Sequence, residues 1–445
     1  MDFQNVLSTM GGTVWAAVFF ILALSIIVFV HEFGHYIVGR WTGIHAEVFS
    51  LGFGKVLTSR TDSRGTRWQL AAIPFGGFVK FLGDANAASG KDGTAMAGMS
   101  DAELRHTMHG APLWARAATV AAGPVFNFIL AFFVYFGMIL FSGIATDLPV
   151  IGKIQPMPLE ATTLVAGDQI VSVAGVPTPD WKTFGTVAKD TKNAAQVTYE
   201  VLRDGATTTA VGPHPMPPLV AGVQPNSAAL DAGIMVGDVI LEADGKPVAR
   251  FDDLPVIVKA TKGAALNLKV WRAGEILQLT LTPRLRTAQN ADGTLEDRWM
   301  IGLSGGLLFE PAVRSAGILE AANLSAKQTW AVLSGSLSGI WQMAVGKISS
   351  CGVSGPIGMA EVIGDSAGMG AREFIAMLAL ISIGVGLMNL FPIPILDGGH
   401  LVFHAYEAVM RKPPSVRAMN VLMTLGLFVI ISFMLFGLSN DILCT

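Results

Sequence analysis

Charge and cysteine are both scarce in this 445-residue sequence. Only 14% of its residues are charged, against about 25% in an ordinary soluble domain, while 51% are hydrophobic and the mean hydropathy is +0.53. A water-soluble globule of that composition would lack the polar surface to stay dispersed, so part of the chain belongs in lipid. Two cysteines, Cys351 and Cys444, exclude a disulfide framework and any zinc site built from cysteine. A net charge of −3 removes the electrostatic case for nucleic acid as a partner.

What is present is a set of long apolar runs. Val14–Val30, Ala117–Phe141, Phe374–Leu396 and Ala418–Leu438 carry no charge, and each is long enough to cross most of a bilayer core. Met1–Thr13 contains no Lys or Arg, so the first run reads as a retained helix rather than a signal peptide. Basic residues gather in two loops. One holds Arg40, Lys55, Arg60, Arg64, Arg67, Lys80, Lys91, Arg105 and Arg116, and the other holds Arg411, Lys412 and Arg417. The positive-inside rule then turns both loops to the cytoplasm and both termini outward. Gln328–Gly346 is uncharged too, but its serines and glycines weaken it, and it reads as a helix lying at the interface.

Between the second and third runs the chain repeats itself. Val165-Ala-Gly-Asp-Gln-Ile-Val-Ser-Val-Ala-Gly-Val-Pro177 matches Met235-Val-Gly-Asp-Val-Ile-Leu-Glu-Ala-Asp-Gly-Lys-Pro247 at an offset of 70, and Val201–Gly205 echoes Val270–Gly274 at 69. Gly-Asp before an apolar pair reads as a turn into a strand, and Arg-x-Gly between alternating strands reads as a hairpin. The pattern resembles a tandem pair of PDZ domains, which take peptide C-termini as an added strand. The same two copies are also compatible with spacers or steric filters that bind nothing.

The chemistry lies at the end of the first run, in His31-Glu32-Phe33-Gly34-His35. Positions i and i+4 share one helix face, so both imidazoles reach one metal ion, with Glu32 beside them to hold a water. A glutamate idle at membrane depth would cost about 2.5–3.5 kcal/mol. Catalytic zinc takes three protein ligands and keeps a position for water. Asp397, the one carboxylate closing the third run, supplies the third. At about 1.5 Å per residue, His31 lies roughly 26 Å from Val14 and Asp397 roughly 35 Å from Phe374, so both arrive at the same leaflet. His400 would close the coordination sphere and is left out. Before Asp397, Pro392 and Pro394 break the helical ladder and leave extended backbone for a substrate strand. Asn389, polar in an apolar stretch, is placed either on substrate main chain or on a neighbouring helix.

Taken together, these elements resemble the site-2 protease family of intramembrane zinc metalloproteases, in its bacterial regulator of sigma-E protease type. His31–His35, Gly123-Pro124 with Asn127-Phe128, the repeat, Ser354-Gly-Pro-Ile357 and Asn389–Gly399 occur in the family's order. The resemblance implies one zinc on His31, His35 and Asp397, with Glu32 as general base. It further implies that Ser50–Gly54 and Ile73–Lys80 form a membrane-associated β-hairpin whose edge (Gly76, Gly77, Phe78, Val79) pairs with an unwound substrate helix. Phe78 stands where the family usually has Tyr.

The expectation is thus an α-helical polytopic membrane protein with four transmembrane helices and two inserted PDZ-like β domains on the periplasmic side of a bacterial inner membrane. Residues 1–42 hold the first helix, 43–113 the cytoplasmic loop with the hairpin, and 114–142 the second helix. Residues 143–215 and 216–288 are the two PDZ-like domains, 289–370 a periplasmic segment with an interfacial helix, and 371–445 the last two transmembrane helices. Substrates implied by the resemblance are single-span proteins, of the trimmed anti-sigma factor and remnant signal-peptide kind, cut within the membrane as part of an envelope stress response. A non-catalytic membrane adaptor that senses peptide C-termini through its PDZ pair stands as the second reading.

Overall fold

Helix α1 runs without interruption over Gly12–Trp41, carrying the apolar run straight through His31–His35 into Arg40. The computed structural model describes residues 12–85, 96–158, 162–192, 196–289, 295–347 and 354–443. Cys351, Cys444 and residues 159–161 of the repeat lie outside them. The chain divides into two units, one of Met1–Gly137, Ala322–Gln342 and Val353–Thr445, the other of Met138–Ala321 and Met343–Gly352.

In the first unit, β1 (Ala46–Thr61) and β2 (Arg67–Phe81) follow α1, then α2 (Leu113–Ser142). Five more helices come later: α3 (Ile318–Ala344), α4 (Pro356–Met369), α5 (Ala371–Asn389), α6 (Asp397–Met410) and α7 (Val416–Leu443). Four helical stretches, Val14–Trp41, Leu113–Ser142, Ala371–Asn389 and Arg417–Leu443, are long and apolar enough to cross a membrane, in line with the four runs. Small residues let them approach closely: a Cβ on Gly34 of α1 would stand 2.5 Å from the Ala122 carbonyl oxygen of α2.

Two helices of this unit come from the stretch 289–370, in which the sequence shows only an interfacial segment. In α4, Ile363 packs with Ala23 and Ile27 of α1, and a Cβ on Gly364 would reach 2.6 Å from Ala16. In α3, Val332 and Leu333 pack against Ala131 of α2 and Ile383 of α5. Glycine and serine lower the hydropathy of both helices, and in α4 Gly364 makes the tight approach to α1 possible. The Ser354-Gly-Pro-Ile357 motif opens α4, with Pro356 at its first turn, and Asp441 of α7 accepts from the Gly355, Ile357 and Gly358 amides at 2.7, 3.0 and 3.1 Å. The orphan N–H groups of the helix start are thereby satisfied.

Strands β1 and β2 form one bent hairpin. Its turn is Asp62–Thr66, where Asp62 Oδ1 accepts from the Arg64 and Thr66 amides, and Gly76 and Gly77 lie inside β2. Both strands are bent at glycines with positive φ, Gly52, Gly54 and Gly76, a conformation other residues resist. As a result Val48–Leu51 has partners on both sides, Arg67–Leu70 on one and Gly77–Lys80 on the other. Among the described residues no strand pairs with the far side of Gly77–Phe81, which leaves that segment as an edge.

The second unit holds the repeat as two β domains of identical strand order. Val176–Pro177, Gln169–Val173, Val197–Arg203 and Ala206–Gly212 form one sheet, and Lys246–Pro247, Val239–Ala243, Leu266–Arg272 and Glu275–Leu281 the other. Each buries its own core, around Ile170, Phe184 and Tyr199 in the first and Ile240, Leu254 and Leu268 in the second. The repeated Gly-Asp and Arg motifs meet in space. Arg203 donates through Nε and Nη2 to Asp168 at 2.7 Å each, and Arg272 does the same to Asp238. Arg203 accordingly holds the Asp168 carboxyl below the usual carboxylate range. Residues beyond 288 complete both copies: Leu303–Gly305 pairs with Val220–Val223, and Phe309–Pro311 with Ile151–Ile154.

Candidate metal centre

Three side chains from two elements of the first unit converge. His31 and His35 project from one face of α1, one turn apart, and Asp397 is the first residue of α6. His31 Nε2 and His35 Nε2 are 3.2 Å apart, and they stand 3.1 and 3.5 Å from Asp397 Oδ2. Metal–ligand bonds of about 2.0 Å at the tetrahedral angle place ligand atoms about 3.3 Å apart, so the observed triangle has the dimensions of a zinc face. The donor chemistry agrees. Asp397 Oδ2 is buried without a hydrogen-bond partner, a costly state for a carboxylate oxygen unless a cation meets it.

Helix α2 supports the triangle with Thr119, Gly123 and Asn127, spaced by four and therefore on one face. His35 Nδ1 lies 2.8 Å from the Thr119 carbonyl oxygen. Asn127, fully buried, lies 3.1 Å from His31 Nδ1, and its main-chain carbonyl accepts from Ser382 Oγ of α5 at 2.8 Å. Gly123 leaves the space that both imidazoles fill. Partners of this kind orient ligating histidines and set their tautomers. The sequence offered Gly123 and Asn127 as parts of a family motif without a role. The signal available was a lone amide in an apolar helix, which must find a buried partner.

Glu32 turns toward the sheet edge. The Val79 amide is directed at its carboxylate, and a Cβ on Gly77 would lie 3.1 Å from Glu32 Cγ. Phe78 stacks on Phe53 at 6.0 Å between centroids, and a Cβ on Gly76 would strike that same ring.

The other proposed substrate contacts are placed differently. The third run is helical only to Asn389, whose Nδ2 donates to the Val385 carbonyl of its own helix at 3.1 Å. Pro392 and Pro394 sit in a tight turn rather than an extended strand, since Ile393 N donates to Phe391 O and Leu396 N to Ile393 O. Without N–H groups the prolines cannot continue α5. The glycines after Asp397 let the turn fold onto the start of α6: a Cβ on Gly398 would lie 2.3 Å from the Leu390 and Phe391 oxygens, and one on Gly399 2.4 Å from Ile393 O. His400 is outside the converging set and meets Phe403 edge-on. A feature the sequence did not signal anchors α6 to α2: Arg116 donates to both oxygens of Glu407, at 3.0 and 2.6 Å.

Comparison with known proteins bears on the same residues. The model of Peptidase family M50 matches residues 19–433. The chain is 35% identical over 428 residues to a protein of Agrobacterium fabrum named as a zinc metalloprotease, across 95% of this chain and 94% of that one. It is 33% identical to Regulator of sigma-E protease RseP of Salmonella typhimurium, across 97% and 99% of the two chains. Its identity to the Escherichia coli protein of the same name is 32%, across 96% and 98%.

Proposed function

Because the chain belongs to peptidase family M50, the site-2 proteases, and is a zinc metalloprotease, we propose that it cuts single-span membrane proteins within their transmembrane segments. The observation that carries this reading is the His31–His35–Asp397 triangle, set on an apolar helix with Glu32 beside it and an unpaired strand edge next to Glu32. His31, His35 and Asp397 would hold the zinc, which when bound supplies Lewis acidity toward a water and the scissile carbonyl.

The chain's own residues do the rest. Glu32, as general base, takes the proton of the attacking water on its carboxylate and passes it to the nitrogen of the leaving amine. Thr119 and Asn127 keep the imidazoles turned toward Asp397. A transmembrane helix must unwind to expose a carbonyl, and each unpaired N–H or C=O in hydrocarbon costs several kcal/mol. The edge Gly77–Phe81 offers main-chain partners that offset this loss with little regard to side chains. Asn389, Pro392 and Pro394 then shape the turn that delivers Asp397, and Asn389 keeps its amide oxygen for a substrate N–H.

The substrates we propose are of the trimmed anti-sigma factor kind and remnant signal peptides, processed in an envelope stress response, and the regulation of sigma-E in the names of two relatives supports the first of these. We place the protein in a bacterial inner membrane, with the metal centre toward the cytoplasm and the two β domains and both termini in the periplasm, as the basic loops indicate. The β domains are PDZ-like modules that exclude substrates with intact outer domains and accept peptide C-termini. Membership of a zinc metalloprotease family speaks against the non-catalytic adaptor. Purified protein mixed with a tagged single-span substrate tests the proposed cleavage. It should cut the substrate, and cutting should stop with a zinc chelator and with Glu32→Gln; no cleavage in any condition would overturn the proposal.

A further inference from the structure

Asn127 is fully buried within an apolar helix. Its amide Nδ2 stands 3.1 Å from His31 Nδ1, and its Oδ1 has no hydrogen-bond partner. The two imidazoles of the triangle are thus held unequally. His35 Nδ1 faces a main-chain carbonyl, which can only accept, so its ring carries the proton on Nδ1 and keeps the Nε2 lone pair free. His31 has no such fixed acceptor. When Asn127 presents Nδ2, His31 Nδ1 must accept, and the ring proton moves to Nε2, the atom facing Asp397 and His35. A protonated Nε2 cannot ligate a metal. An amide turned about its last bond occupies nearly the same space with oxygen and nitrogen exchanged, so packing permits both orientations and the ring proton selects between them.

We propose that Asn127 is the positioning residue that sets the tautomer of His31: with metal held, its amide oxygen accepts the Nδ1 proton and reserves Nε2 for the ion. The inference rests on the reading of His31 as a ligand. The anchoring of the Asn127 carbonyl by Ser382 holds this amide at one depth beside the ring, as a positioning group requires.

The test is zinc affinity of the purified full chain, read by competition with a chromogenic chelator, for the parent, Asn127→Leu, Asn127→Asp and His31→Ala. The leucine variant has no acceptor and should release zinc about 10- to 100-fold more readily. The aspartate variant still accepts the Nδ1 proton and should hold zinc as tightly as the parent. Parent-like affinity in Asn127→Leu overturns the proposal, as does a loss in Asn127→Asp equal to that in Asn127→Leu. If the leucine variant fails to stay monodisperse in detergent, the aspartate variant decides alone: retained affinity supports the proposal and lost affinity overturns it. A parent that binds no zinc, or a His31→Ala variant that binds it unchanged, sinks the metal-centre reading itself, a result distinct from either outcome at Asn127.

Discussion

Gly123 on α2 faces His35 on α1 so closely that a Cβ built on it would stand 2.3 Å from His35 Nε2 and 2.8 Å from His31 Cε1. One hydrogen atom in place of a methyl group therefore decides whether the imidazoles can reach Asp397. Gly123→Ala should leave the helix intact, since alanine is favoured over glycine in helices by about 1 kcal/mol. Zinc content should nevertheless fall steeply. Metal analysis beside circular dichroism checks this, and full zinc occupancy in the variant would mean that the rings have room to retreat.

Arg116 and Glu407 tie α6 to α2 with side chains only 13% and 19% exposed. Glu407→Ala leaves a guanidinium largely buried with no counter-charge. Breaking a fully buried pair costs about 3–5 kcal/mol, and partial exposure lowers the expectation here to about 2–3 kcal/mol. Thermal unfolding in detergent should show that loss, and Glu407→Gln, which still accepts a hydrogen bond, should recover part of it. Equal stability of all three proteins would remove the pair as an anchor for Asp397.

The Val79 amide is directed at Glu32, so Val79→Pro deletes a donor next to the proposed base without touching a metal ligand. Zinc content should stay constant while cleavage falls. The kinetic split assigns the donor: a lower kcat at unchanged KM places its work on Glu32, whereas a raised KM places it on the substrate strand. Normal cleavage would exclude both.

Because residues 303–311 complete both β domains, a clean excision must remove them too. Ile144–Ala145 pairs antiparallel with Val313–Arg314, which makes 146–312 the segment to replace with a short turn. If the domains act as a filter, the excised protein should still cut, and should also accept substrates that retain their outer domains. A zinc-loaded, monodisperse excision variant without any cleavage would show that the domains contribute more than exclusion.

His214 lies buried between an acceptor and a donor: Nε2 stands 3.2 Å from the Thr191 carbonyl, and Nδ1 accepts from the Met216 amide at 3.1 Å. Burial holds this imidazole below its usual value of 6.5, with Arg250 pushing the same way and Asp252 opposing. Its unfolded form therefore binds a proton at higher pH than its folded form does. Stability should fall as pH drops from about 7 through the ordinary histidine range toward the lower folded value, and level off below it. Hydrogen exchange of the β domains at pH 7.5 and 5.5 should show the change, and His214→Gln should flatten it. Arg203 acts in the same direction further down, since the stability from Asp168 is lost as pH falls below 3.8.

The sequence alone determined the parts whose signal is local. Four uncharged runs, the i and i+4 histidines and the single carboxylate after Pro392 and Pro394 are all visible within short windows, because helix periodicity and hydropathy are short-range properties. The repeat was legible for the same reason, although the meeting of Asp168 with Arg203 and of Asp238 with Arg272 was not. Tertiary structure decided what depends on approach between distant segments. The space left by Gly123, the buried amide of Asn127 against His31, the bend that makes Gly77–Phe81 an edge and the return of 303–311 to both sheets join residues tens to hundreds of positions apart. No window of sequence carries a distance of that kind. Hydropathy, likewise, could not show that α3 and α4 join the helical unit, and in α4 a glycine that lowers the score, Gly364, is what lets the helix close on Ala16 of α1.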